Sequence, residues 1–179
     1  MYFKNSGKEN TEKTVELALA VAKERGINHI IIPACEGDTA LLFKNCGLNV
    51  IVVTHVNGFT TPGIQDMKED RKQELEGYGF KLYTSTHVLS GAERALSKKF
   101  GGVSPIEIIA HTLRMFGQGV KVAVEVTTMA LDGGLIPYGK DIIALGGTER
   151  GVDTAIIIRP SHSSSILETK VKEIICKPV

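Results

Sequence analysis

The chain is predicted to fold as a single three-layer α/β domain over residues 1–179, with a mostly parallel sheet and an antiparallel edge. Three observations lead there. Short β-branched runs (Ile30-Ile31-Ile32, Val50-Ile51-Val52-Val53, Ile142-Ile143-Ala144-Leu145) are apolar without alternation, as in strands covered on both faces. Segments of helical period separate them, which implies crossover connections and parallel pairing. A last run, Ala155-Ile156-Ile157-Ile158, follows its predecessor too closely for a helical crossover and is expected to return antiparallel.

Each element has its own local signal. Asn10 is expected to cap a helix carrying Glu12 in its first turn, with Val15, Ala18, Leu19 and Ala22 at helical spacing and Gly26 as its stop. Residues 28–33 form the first strand. A helix from Asp38 to Cys46 is expected to stop at Gly47, and Val50–Val53 gives the second strand. After a loop over 54–63, a polar helix is expected over 64–77, and Phe80–Tyr83 forms a third strand.

The middle reads as helical. Ser104-Pro105-Ile106-Glu107 combines an N-cap, an N1 proline and a capping-box glutamate, with Ile106, Ile109, Ala110 and Leu113 as the apolar stripe and Gly117 as the end. Residues 119–133 are valine-rich, yet Lys121, Glu125, Thr128 and Asp132 form one narrow polar stripe at helical spacing, so a helix is expected. Lys121, Glu125 and Asp132 read as a solvated face with an i, i+4 pair. After the strand at 142–145 come a glycine-rich loop over 146–153, the antiparallel run, a serine-rich turn from Ser161 to Ser165 and a final edge strand over Val171–Cys176.

Composition narrows the function. Lys+Arg 21 against Asp+Glu 20 leaves a net charge of +1, and the basic residues are scattered, so no nucleic acid partner is indicated. The densest basic group, Arg94 with Lys98-Lys99, reads as a solvated helix face. No apolar stretch approaches the roughly 20 residues of a membrane span, and the N-terminus lacks a signal-peptide pattern. Three cysteines without CxxC spacing indicate neither a disulfide framework nor a zinc site, and a reduced cytoplasmic protein is expected.

The chemistry concentrates at the strand ends. Between strand and helix, Cys35-Glu36-Gly37-Asp38-Thr39 would gather backbone N–H groups and a helix N-terminus, a geometry that favours phosphate, although Asp38 or Thr39 as plain helix caps explains the same residues. Gly146, Gly147, Thr148 and Arg150 form a second constellation, in which Arg150 could hold phosphate in bidentate fashion or simply lie on the surface. The third, His55, Asn57, Gly58 and Phe59, sits in a loop long enough to be functional, although Phe59 simply covering the sheet end explains the same residue. Loops at switch points of parallel sheets are the usual place for ligands, and these three would meet there. Cys35 could act as a nucleophile with His55 or His87 as base, with Glu36 beside it opposing a thiolate. Cys35, His55 and His87 could also converge on a metal, but no spacing signature supports this and no metal is expected.

The order of elements resembles the C-terminal α/β domain of pyruvate kinase without the catalytic barrel. Glu36–Ala40 lies where that domain holds a sugar phosphate. Val122–Asp132 and Asp141–Thr148 resemble its helix, penultimate strand and effector loop, and Thr154–Ile158 resembles its closing antiparallel strand. The whole chain is similar to free-standing microbial proteins of this fold, a resemblance that implies flavin mononucleotide (FMN) as the phosphorylated ligand. The Gly37–Thr39 turn would take the phosphate and the 146–151 loop would close over it. Residues 55–59 would meet the ring, Phe59 supplying an aromatic face. Pyruvate kinase activity is not expected, since a barrel alone needs about 250 residues. Cys35-Glu36 departs from the small hydroxyl residues of the family's effector site, and a carboxylate there repels a dianion unless it points away. Alternative readings are a flavin-dependent oxidoreductase, a Cys35-based enzyme, or a regulatory or scaffold subunit. Helices 105–117 and 119–133 could pack in a homo-oligomer.

Overall fold

In the computed structural model, which describes residues 1–179, seven strands form one sheet. The strands are β1 (Tyr2–Phe3), β2 (His29–Ala34), β3 (Asn49–Thr54), β4 (Lys81–Tyr83), β5 (Ile142–Gly146), β6 (Thr154–Arg159) and β7 (Lys170–Pro178). Their order is β1-β7-β6-β5-β2-β3-β4. Only β6 runs against the rest: it is antiparallel to both β5 and β7, while β1 pairs parallel with β7. The expected closing edge strand is therefore second from the edge. Residues 2 and 3 cover it, too short a pair to carry any periodicity of their own.

Strand alternation sorts the core into two layers. Ile30, Ile32, Val50, Val52, Ile143 and Leu145 face one side, where Val15, Ala18 and Ala22 of α1 (Thr11–Arg25) pack with Phe43, Met67 and Leu75. Ile31, Ile51, Val53, Ile142, Ala144, Ile156 and Ile158 face the other, against Ala123, Val124, Met129 and Ala130 of α6 (Gln118–Asp132). Two-sided burial is why these strands lack alternation in sequence.

The helices differ from expectation at their ends. Asn10 lies in a 3-10 turn over Lys8–Asn10; its side chain donates to Asn5 O rather than capping α1. Gly26 closes α1 in the left-handed conformation (φ 63°), as expected. The helix after β2, α2 (Asp38–Leu41), is one turn long because residues 42–46 continue as tighter turns. Helix α3 (Glu69–Gly77) starts later than expected, since residues 55–68 are tied into a structured loop. The capping box before α5 (Pro105–Arg114) is present, with Ser104 N donating 3.0 Å to the Glu107 carboxylate. Helix α4 (Ala92–Phe100) and α5 lie outside α6 and leave Leu96, Phe100, Ile108, Met115 and Phe116 exposed. Of the two middle helices, only α6 is the buried one. No helix is long and apolar enough to cross a membrane.

Candidate functional site

The chain runs β2, β3, β4 in one direction across the sheet, then returns through α4–α6 to place β5 on the other side of β2. The direction of strand order therefore reverses between β2 and β5, and this is where an open α/β sheet leaves a crevice. A cleft of about 950 Å³ opens there, lined from α1, the loops after β2, β3, β4 and β5, and α6. That lies within the range of small-molecule sites.

Cys35, Glu36, Gly37, Asp38, Thr39, His55, Phe59, Gly147 and Arg150 all line this cleft. Asn57, Gly58, Gly146 and Thr148 do not, and three of them have other work. Asn57 Oδ1 accepts from Gln65 Nε2 at 2.9 Å, and the same Gln65 amide holds His55 O at 2.9 Å. Gly58 turns the loop with φ 82°, its N–H donating to Ile64 O. Gly146 lets α6 approach β5, because a Cβ there would lie 1.9 Å from Gly119 O. Gly147 lines the cleft, but a Cβ on it would strike Gly151 O at 2.4 Å, so it too serves a tight turn. Gly37 needs its positive φ (90°) and packs against Arg71 and Leu75.

The charged residues are largely occupied by one another. Glu36 turns outward to Arg150, and Asp38 lies 3.4 Å from Arg71. With only one helical turn behind it, the Asp38 end has little macrodipole to offer an anion. Its remaining anion-binding capacity is backbone: the N–H groups of Glu36 and Gly37 donate to no protein acceptor.

Register brings the reactive side chains together. Ala34 pairs with Thr54, so Cys35 and His55 are the next residues on adjacent strands, on the α6 face. Cys35 Sγ lies 3.4 Å from His55 Nε2, and His55 Nδ1 lies 2.7 Å from Asp66 Oδ2. Thr60 Oγ1 donates to the same Asp66 oxygen at 3.0 Å. Phe59 packs over His55 at a centroid distance of 4.0 Å, and His87 closes the aromatic group at 5.9 Å from His55. Burial works against a charged His55, but its hydrogen bonds to Cys35 and Asp66 outweigh this and raise its pKa above the ordinary histidine value. The bond to His55 holds the Asp66 carboxyl below its usual value. His87 is pushed down by burial, opposed by Glu125 and aided by the charges of His55 and Lys121.

Lys121 and Glu125 are not a solvated face. Both are buried (4% and 5% exposed), paired to each other at the cleft floor, and Glu125 Oε1 accepts from Leu89 N at 2.8 Å. Of that stripe only Asp132 is exposed, and it binds His162 instead. Asp66 was not anticipated, because a lone aspartate in a polar loop carries no spacing signal. Arg94, Arg114 and Gln118 were likewise not anticipated in the cleft.

A doubly wound sheet with a single antiparallel strand and a switch-point cleft defines an α/β domain of the pyruvate kinase C-terminal type. The chain belongs to the pyruvate kinase alpha/beta domain family, whose model matches residues 12–158. Among solved structures it is similar to a pyruvate kinase from Cryptosporidium parvum, at 18% identity over 84% of this chain and 22% of that one, TM-score 0.43. A structure of Cryptosporidium parvum pyruvate kinase in complex with ADP matches at 17% identity over 83% of this chain and 22% of that one, TM-score 0.41. The chain thus spans about a fifth of the length of the enzymes it matches.

Proposed function

We propose that this chain binds a phosphorylated small molecule in the switch-point cleft, with FMN as the ligand, and that it does so in the cytoplasm without pyruvate kinase chemistry. The observation that carries the reading is the cleft itself: about 950 Å³ joining unbonded backbone donors to an aromatic wall. The Glu36 and Gly37 N–H groups, the Thr39 side chain and Arg150 would hold the phosphate. Phe59, 52% exposed, and His55 would take a flat ring on their free side. When bound, FMN would supply hydride or single-electron transfer.

The test is a visible absorption titration of the purified protein with FMN, and with riboflavin for comparison. A saturable perturbed flavin spectrum that requires the phosphate, weakened by both Thr39→Ala and Arg150→Ala, supports the assignment. A colourless protein indifferent to added FMN removes this ligand. Undiminished affinity in both variants removes the phosphate site. Gly37→Pro is unsuited to the purpose, since a φ of 90° is closed to proline and the turn itself would break.

A further inference from the structure

We infer that Cys35, His55 and Asp66 form a nucleophile, base and positioning residue for acyl transfer, acting on an activated acyl compound that enters the cleft. This goes beyond ligand binding and does not depend on a flavin.

Five features of the geometry converge. The Cys35 Sγ–His55 Nε2 separation of 3.4 Å is within hydrogen-bond reach for sulfur, and Asp66 sits 2.7 Å from the opposite ring nitrogen. With Asp66 accepting from Nδ1–H, the Nε2 lone pair faces Sγ, the tautomer a base requires. Thr60 fixes Asp66 from a second side and Phe59 covers the ring, so neither is free to turn away. Both Cys35 and His55 line the cleft. The carboxylate that would oppose a thiolate, Glu36, is held by Arg150. The N–H groups of Glu36 and Gly37 immediately follow the nucleophile and make no bond within the protein, which leaves them available as oxyanion donors when no phosphate occupies them.

The step balances without any co-reactant other than water. The Cys35 thiol proton passes to His55 Nε2 as Sγ attacks the acyl carbon. The bond to the leaving group then breaks, and that group departs with the proton from Nε2. Water, deprotonated by the same nitrogen, attacks the Cys35 thioester. The carboxylic acid is released and the thiol is restored.

Cys46 provides an internal reference: it is half-buried, as Cys35 is, but has no histidine partner and does not line the cleft. The experiment exposes the flavin-free protein to p-nitrophenyl acetate and follows p-nitrophenolate release, with peptide mapping of the acetylated cysteine. Acetylation of Cys35 well ahead of Cys46 is expected, with release from Cys35→Ser falling to the slow rate of Cys46 and buffer hydrolysis, and release from Cys46→Ser staying near that of the unaltered protein. His55→Asn should slow acetylation by about 100-fold or more, the scale of a lost general base. The groups that face His55 are Cys35, Asp66 and His87, with the Lys121–Glu125 pair behind His87. Because Asp66 helps to raise the His55 pKa, Asp66→Asn should move the inflection of the acetylation rate to lower pH, which a purely structural role would not do. Equal acetylation of Cys35 and Cys46 in the unaltered protein overturns the inference, and this comparison needs no variant to fold. An unchanged rate in a folded His55→Asn overturns it equally. Neither result bears on FMN binding, which the titration decides separately.

Discussion

Arg150 Nη2 lies 2.5 Å from Glu36 Oε2, joining the loop after β5 to the loop after β2 across the mouth of the cleft. Both side chains are more than half exposed, so the pair stabilises the fold by less than about 1 kcal/mol. Its consequence falls on ligands: a dianion that needs Arg150 must first displace Glu36. Glu36→Gln is therefore expected to tighten FMN binding a few-fold and Arg150→Ala to weaken it. Both effects should shrink as salt shortens the Debye length from about 10 Å to about 3 Å. Calorimetric titration at low and high salt checks this, and equal affinities for Glu36→Gln and the unaltered protein would show that the ligand does not use Arg150.

The glycine-rich stretch at 146–147 is a packing device. A Cβ on Gly146 would meet Gly119 O at 1.9 Å and its carbonyl carbon at 2.7 Å, both backbone atoms of α6. Gly146→Ala must push α6 off β5, and overpacking of that kind costs about 3 kcal/mol. Gly26→Ala meets nothing within 4 Å and is strained only by its φ of 63°, at a cost of about 1 kcal/mol. Urea unfolding of the two variants should give that order, and a Gly146→Ala protein as stable as Gly26→Ala would mean that α6 does not sit this close to β5.

These two glycines also show how much was legible in sequence. The buried parallel strands, the antiparallel return at β6 and the helical reading of 119–133 follow from hydrophobic period, a local property of the chain. The glycines at 146 and 147 were equally visible, but their reason is a backbone 27 residues away at Gly119, or a partner across a turn at Gly151. Cys35 and His55 could be named as partners, whereas Asp66 required the fold of a loop held by Gln65. Lys121 and Glu125 read as solvated because spacing places residues on a helix face without saying what covers that face.

The buried Lys121–Glu125 pair makes a prediction that tells burial apart from attraction. Removing one partner, as in Lys121→Met, leaves a buried charge alone and should cost about 3–5 kcal/mol. The double variant Lys121→Met, Glu125→Gln removes both charges while an amide oxygen still accepts from Leu89 N. It should recover most of that loss. Denaturant midpoints of the single and double variants decide the matter: a double variant no better than Lys121→Met would mean that the pair contributes more by attraction than it costs in desolvation.

Acidification should separate the two histidines of the cleft. His55 has a folded pKa above 6.5, so its contribution to stability is complete below pH 6.5 and is lost as the pH rises through that raised value. Asp66 has a folded pKa below 3.8; its contribution is present above pH 3.8 and is lost as the pH falls through the lowered value. Between these limits the two groups reinforce each other. His87 opposes them: its folded pKa is below 6.5, so its contribution holds above pH 6.5 and is lost on acidification. On going from about pH 7.5 to about pH 5.5, across the ordinary histidine pKa, Asp66→Asn should lose melting temperature relative to the unaltered protein. Over the same interval His87→Gln should gain it. Thermal melts of the three proteins at the two pH values test both signs. An Asp66→Asn curve running parallel to the unaltered one would mean that the carboxylate does not hold the imidazolium, and with it the reason for His55 to face Cys35 through Nε2.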